Sequence, residues 1–185
     1  MSPGGHLVST AITCGAVYAS TGSAALTAGV AVGGILIDVD HALDYVLFER
    51  RRDLRPTAFL KFYTEQRCER FVLLLHSYEL LALLAALAWL GNSVWLWGYV
   101  LGASLHLPLD VVFNGKAVGR SLVAFYSFAY RWRAGFASGP LIGISEPQPV
   151  AGGFWRSFFL EFLPREDAAV PDSPGYVEGG LPTSS

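Results

Sequence analysis

Gly34-Ile35-Leu36-Ile37-Asp38-Val39-Asp40-His41 runs an uncharged apolar segment directly into two carboxylates and an imidazole. Everything before it, from Met1 to Ile37, lacks Asp, Glu, Lys and Arg. Such a segment belongs inside protein or inside lipid, and its end either closes a helix or opens a site. Carboxylates near the carboxyl end of a helix oppose its dipole, which favours a cation among them.

The length of 185 residues suits one domain with a sizeable core. Apolar residues make up 52% and charged residues 15%, against about 25% charged in an ordinary soluble domain. A formal net charge of -2 carries no nucleic-acid footprint. The charge is sorted into blocks: all 13 Lys and Arg residues lie between Arg50 and Arg165, and none between Phe71 and Gly115. Seven of them fall in ERRRDLRPTAFLKFYTEQRCER, residues 49–70.

Between the basic blocks, residues 71–90 (FVLLLHSYELLALLAALAWL) and 94–113 (VWLWGYVLGASLHLPLDVVF) flank the uncharged turn GNS. Each has about the 20 residues that a helix needs to cross a hydrocarbon core, so together they read as a transmembrane hairpin. Upstream, HLVSTAITCGAVYAS and AALTAGVAVGGILI flank a second uncharged turn, TGS. They are short for spans but rich in the small residues that let membrane helices approach closely. With two hairpins, Met1, the basic block and everything after Gly115 share one side. Basic residues concentrate on the cytoplasmic side, which puts the amino terminus and the loop from Glu49 to Arg70 inside. No basic n-region of a secretory signal is visible, and Cys14 and Cys68, without metal-ligand spacing, read as reduced thiols.

Beyond Gly115, SLVAFYSFAYRWRAGF and FWRSFFLEFL are dense in aromatics, with Arg131, Arg133 and Arg156 among them. Such segments suit the membrane interface, or equally a cap on the bundle. From Pro164 the chain is rich in Pro, Gly, Ser and acid, which predicts a disordered tail. The expectation is an all-α protein: a membrane-embedded bundle of about four helices in two hairpins over residues 1–115, aromatic interfacial or capping helices over 116–163, and a tail over 164–185.

The four histidines, His6, His41, His76 and His106, each sit at or within one of the four apolar segments. Asp38 and His41 are i and i+3, as are His76 and Glu79, while His106 and Asp110 are i and i+4. Either spacing puts both side chains on one helix face. In the hairpin arrangement all of these groups lie toward the inner end of one bundle. Imidazoles and carboxylates gathered there suit zinc, manganese or iron. Glu79 is the sole charged residue between Phe71 and Leu109, and an ionisable group in such surroundings points to function. Asp40 is offset by about 100° from His41 and about 200° from Asp38 on an ideal helix, so the three share a site only if the helix unwinds there.

An early His, DVDH after a Gly-rich apolar helix, HS in a further apolar segment and then HLPLD together resemble the bacterial inner-membrane metal-dependent hydrolases, whose motifs are loosely similar to those of zinc-dependent phospholipase C. The resemblance covers about residues 1–115 and leaves out the tail. It implies His6, Asp38, Asp40, His41, His76, His106 and Asp110 as metal ligands. The family commonly has Pro where this chain has Ile37, and a His-Arg-Gly run before HS where this chain has Phe71-Val72-Leu73. Glu79, one turn after His76, is the expected substitute for the missing group.

So many donors exceed one closed tetrahedral site, which suggests one or two divalent ions, zinc first, with manganese or iron as alternatives. A bound ion lowers the pKa of water far enough to supply a nucleophile near neutral pH. Asp40 or Glu79 is the expected general base, and Arg50, Arg51, Arg52 and Arg55 could hold an anionic headgroup. The sequence thus points to hydrolysis of a phosphoester, in a lipid, at the cytoplasmic face of a bacterial inner membrane. The rivals are a cation or proton transporter and a noncatalytic membrane protein tied together by metal.

Overall fold

The computed structural model describes residues 1–115, 122–143 and 153–159; the expected tail lies outside them, as does part of the aromatic region. The described residues are mostly helical and contain no strand, apart from an isolated bridge between Arg70 and Ala137. Helix α1 spans Pro3–Thr21, α2 Ala24–Ile35, α3 Val39–Leu43, α4 Pro56–Thr64, α5 Tyr78–Leu90 and α6 Val94–Asn114. Four short helices follow: α7 Leu122–Phe125, α8 Phe128–Arg133, α9 Ser138–Ile142 and α10 Phe154–Phe159.

Local chemistry sets the helix ends. Pro3 occupies the first turn of α1 and the Ser2 hydroxyl accepts from the Gly5 N–H, which satisfies one donor left over at a helix start. In the TGS turn, Gly22 closes α1 at φ 63° and Ser23 caps α2. The GNS turn works similarly: Gly91 and Asn92 end α5, and the Ser93 hydroxyl accepts from the Leu96 N–H. Both turns read from sequence are helix-to-helix corners.

Helix α1 packs on α2, α2 on α6, and α6 on α5. The α2–α6 contact is the tightest, because glycines on both helices face the partner's backbone. A Cβ on Gly29 would collide with the Trp95 carbonyl, and one on Gly98 with the Leu26 carbonyl. Gly33 and Gly102 repeat the arrangement a turn further along. This is the small-xxx-small spacing that brings helix axes close together.

Two expectations need correction. Residues 71–77 are not helical, so α5 has only 13 residues, about 20 Å of helix against a hydrocarbon core of about 30 Å. Among the described residues, only Ala24–Phe48, counted through α3 and the turns around it, and Val94–Asn114 are long and apolar enough to cross a membrane. Two of the helices of the expected bundle of about four are thus candidate spans, and α1 and α5 do not meet that test. The loop after Glu49 contains a helix, α4, and His6 lies within α1.

A core cluster closes the end of the bundle where α2 and α6 finish. Ile37, Leu73, Ala103 and Leu107 from the bundle meet Leu122, Phe125, Tyr126, Leu141 and Ile142 from the region of α7 to α9. A smaller cluster of Tyr45, Phe62 and Cys68 joins α4 to the chain after α3.

Candidate metal centre

The winding of α2 changes just where the acidic motif begins. A 3-10 turn, Leu36–Asp38, leads into α3, and a wide π-type turn, Asp44–Phe48, follows. The change of pitch lets Asp38 and Asp40 serve the same histidine from different directions. Asp38 Oδ1 lies 3.4 Å from His76 Nε2, whereas Asp40 Oδ1 lies 2.9 Å from the other ring nitrogen, His76 Nδ1.

The non-helical segment that carries His76 is held from two sides. Asp40 Oδ2 accepts from the N–H groups of Leu75 and His76 at 2.8 and 3.2 Å. Asp44 Oδ2 accepts from Val72 and Leu73 at 2.7 and 3.1 Å. From the other side the fully buried Arg131 guanidinium donates to the carbonyls of Val72, Leu73 and His76, at 3.1, 2.8 and 3.1 Å, and to that of Phe125. A segment without helical hydrogen bonds thus has its backbone polar groups satisfied by side chains, as burial requires.

Hydrogen bonding also fixes which ring nitrogens face inward. His76 Nδ1–H donates to Asp40, and His106 Nδ1–H donates to the Gly34 carbonyl at 3.0 Å. That assignment leaves both Nε2 lone pairs bare. The two Nε2 atoms are 3.4 Å apart. Asp38 Oδ1 is 3.4 Å from His106 Nε2, and Asp110 Oδ2 is 3.3 Å from His106 Nε2 and 3.9 Å from His76 Nε2. Asp38, His76 and His106 form one group that could hold an ion, and His6, His106 and Asp110 an overlapping one; acceptors gathered this closely repel unless a cation lies among them. An ion with tetrahedral bonds of about 2.0–2.1 Å separates its donors by about 3.3–3.4 Å, and the distances among Asp38, His76 and His106, all 3.4 Å, match. The donor set fits a divalent ion such as zinc.

The remaining candidates surround this point. His6 stacks on His106 with ring centroids 3.6 Å apart, and its Nε2 lies 2.9 Å from Asp110 Oδ1. It orients Asp110 in the way a neighbour one step out holds a ligand. His41 sits at the edge: its Nε2 is 3.9 Å from Asp38 Oδ1, and its Nδ1 is buried without a hydrogen-bond partner, as is His6 Nδ1. Tyr63 donates to the His41 carbonyl at 2.6 Å.

Glu79 is not part of this constellation. Its carboxylate accepts from the Ser127 hydroxyl at 2.6 Å and from the N–H groups of Phe128 and Ala129 at 2.8 and 3.2 Å. It satisfies the start of α8 instead, because His76 precedes α5 and the i, i+3 helical spacing does not apply. Asp40 is near but occupied: it is 2% exposed and both its oxygens are engaged by the His76 segment. It orients a ligand and has no free oxygen with which to act as a base.

Asp44, Arg131 and Tyr126 were not anticipated. Asp44 had a signal, since it follows Asp40 by four residues and shares its helix face. Arg131 had none, because nothing local marks it as buried. Tyr126 shares the cavity wall with Asp110 and stacks near His76, with centroids 6.1 Å apart. Cys68 is buried, with Sγ 2.8 Å from the Arg70 carbonyl. Burial, reinforced by the Glu49 carboxylate, pushes its thiol pKa up, so it is no thiolate ligand.

A cavity of about 320 Å³ opens beside the centre, with His6, Asp38, His41 and Asp110 among its walls. No known protein family, curated protein or solved structure matches the chain.

Proposed function

We propose that this chain is a membrane-bound, metal-dependent hydrolase of an ester, phosphoesters first, akin to the bacterial inner-membrane hydrolases its motifs resemble. One observation carries the reading: two bare imidazole nitrogens lie 3.4 Å apart, each with a carboxylate oxygen of Asp38 and of Asp110 at 3.3–3.9 Å, beside an open cavity. His76, His106, Asp38 and Asp110 would hold the ion, with Asp40 and His6 fixing two of those ligands. A divalent ion at this point supplies Lewis acidity and brings the pKa of water toward neutrality. His41 lines the cavity next to Asp38 and carries an unpaired ring nitrogen, so it takes the proton-transfer role expected of Asp40 or Glu79.

Placement in a bilayer is supported by the two candidate spans and by their outward faces. Only 33% of the Ala24–Phe48 window and 39% of the Val94–Asn114 window are buried inside the protein. Leu83, Leu87, Trp89, Leu90, Trp95 and Leu101 are all exposed, whereas soluble monomers rarely show large apolar patches. With the basic loop inside, the centre faces the cytoplasm. Arg50, Arg51 and Arg52 are exposed on that loop, while Arg55 is paired with Asp53 at 2.6 Å.

Metal analysis of the purified full chain, together with a screen of phosphoesters and carboxylic esters before and after chelation, tests the proposal. Bound zinc, manganese or iron near one or two ions per chain, with chelator-sensitive turnover, is the expected result. Four protein donors can also form a closed structural site. Bound metal that raises the melting temperature, with no turnover on any ester, decides for that second reading. A chain with no stoichiometric metal overturns both.

A further inference from the structure

The cavity beside the centre has two unlike parts. At its floor are Asp38, His41 and Asp110; its walls include Phe59 and Leu60 from α4, Phe71 and Leu73 from the His76 segment, and Phe125 and Ile142 from α7 and α9. Its volume, about 320 Å³, is at the small end of the range for small-molecule sites, about 300–1,000 Å³. Among the described residues no Lys or Arg lines it. The arginines of the basic loop therefore lie outside the cavity, and its walls bring one cation to the floor, the Met1 ammonium, which is paired with Asp110 Oδ1 at 2.7 Å.

With the Met1 ammonium on Asp110, a divalent ion held by Asp38 and Asp110 would leave one formal positive charge. A monoanionic head balances it, whereas a dianionic head brings an uncompensated charge into apolar surroundings, which is costly. A neutral or monoanionic head costs less. The aromatic and aliphatic walls, in turn, gain from excluding water around a chain.

We propose that the cavity is a subsite for one hydrocarbon chain of an amphiphilic ester whose head, at the metal centre, carries at most one negative charge. The inference rests on the hydrolase reading and narrows its substrate to single-chain monoanionic or neutral esters, such as a phosphodiester or a carboxylic ester. Dianionic phosphomonoesters are excluded.

The test is calorimetric titration of the zinc-loaded full chain, in one fixed detergent, with non-hydrolysable alkyl methylphosphonates bearing butyl and octyl chains. The octyl probe should bind about 10-fold or more tighter than the butyl probe, since each buried methylene is worth up to about 4-fold. Octyl phosphate, measured at a pH where it is a dianion, should bind more weakly than octyl methylphosphonate. Ile142→Trp and, on a different wall, Leu60→Trp should each remove most of the octyl advantage while leaving butyl affinity near wild type. Leu54→Trp, on the exposed loop, should leave both unchanged. Partition into detergent is the same for every protein in the series, so a difference between variants reports the cavity. Equal affinity for the two chain lengths, or an octyl advantage that survives both cavity-filling variants, overturns the proposal. Zinc content measured on the same samples scores the metal reading separately: a chain that holds zinc but ignores chain length sinks only the subsite.

Discussion

At the scale of single residues, the centre is decided by which nitrogen of each histidine is already occupied. Asp40 takes His76 Nδ1, and the Gly34 carbonyl takes His106 Nδ1, so both rings present Nε2 to the same point. Removing such an outer partner commonly costs 10–100-fold in metal affinity. Asp40→Asn should accordingly weaken zinc binding by about 10- to 100-fold, read by competition with a chelator. Unchanged affinity would mean that Asp40 does not set the ring. His41→Gln should keep zinc content and lower turnover by about 10²-fold or more; loss of zinc in that variant would make His41 a ligand instead. Glu79→Gln should leave zinc and turnover alone and cost about 1–2 kcal/mol of stability, because its carboxylate serves the start of α8.

At the scale of elements, two features hold the centre's parts in register. The first is the α2–α6 seam, with Asp38 on the 3-10 turn that follows α2 and His106 and Asp110 on α6. Gly29→Val would force a side chain against the Trp95 and Tyr99 backbone, and overpacking of this kind costs about 1–3 kcal/mol or more. Gly15→Ala in α1, where nothing lies within 4 Å, should instead stabilise by about 0.5–1 kcal/mol. Thermal unfolding of both variants checks the pair; a tolerated Gly29→Val would show that the helices can part without harm. The second feature is the Arg131 clamp on the His76 segment. Arg131→Met leaves buried carbonyls at Val72, Leu73 and His76 without their donor, each worth about 1–3 kcal/mol. It should lower stability by at least about 3 kcal/mol and weaken zinc binding, although Arg131 touches none of the four donors. Zinc affinity equal to wild type would separate the clamp from the centre.

At the scale of the whole molecule, charge and chemistry lie at the same end. The seven basic residues of positions 49–70 follow directly from the acidic motif, and α2 and α6 both finish there. In the proposed topology, which follows the positive-inside tendency, the loop near Arg55 and the candidate centre are cytoplasmic. Reporter fusions after Arg55 should show cytoplasmic activity, and those in the turns at Gly22 and Asn92 the opposite; a loop reporting from outside would reverse the arrangement.

The sequence by itself determined the helical class, both tight corners and the apolar faces, because these depend on local chemistry: a serine cap, a glycine of positive φ, an uncharged run. It also marked residues that converge, since His106 and Asp110, at i and i+4, share a face of an α-helix. What only the tertiary structure decided is how they are used. His76 lies on a segment without helical hydrogen bonds, shaped by Asp40, Asp44 and a buried arginine some 55 residues further on. Helical spacing therefore predicted a place for Glu79 that the chain does not give it. The winding change at Leu36–Asp38 likewise assigned Asp38 to the centre and Asp40 to its support. Local periodicity carries no record of a partner that far along the chain, and the roles of these carboxylates follow from such partners.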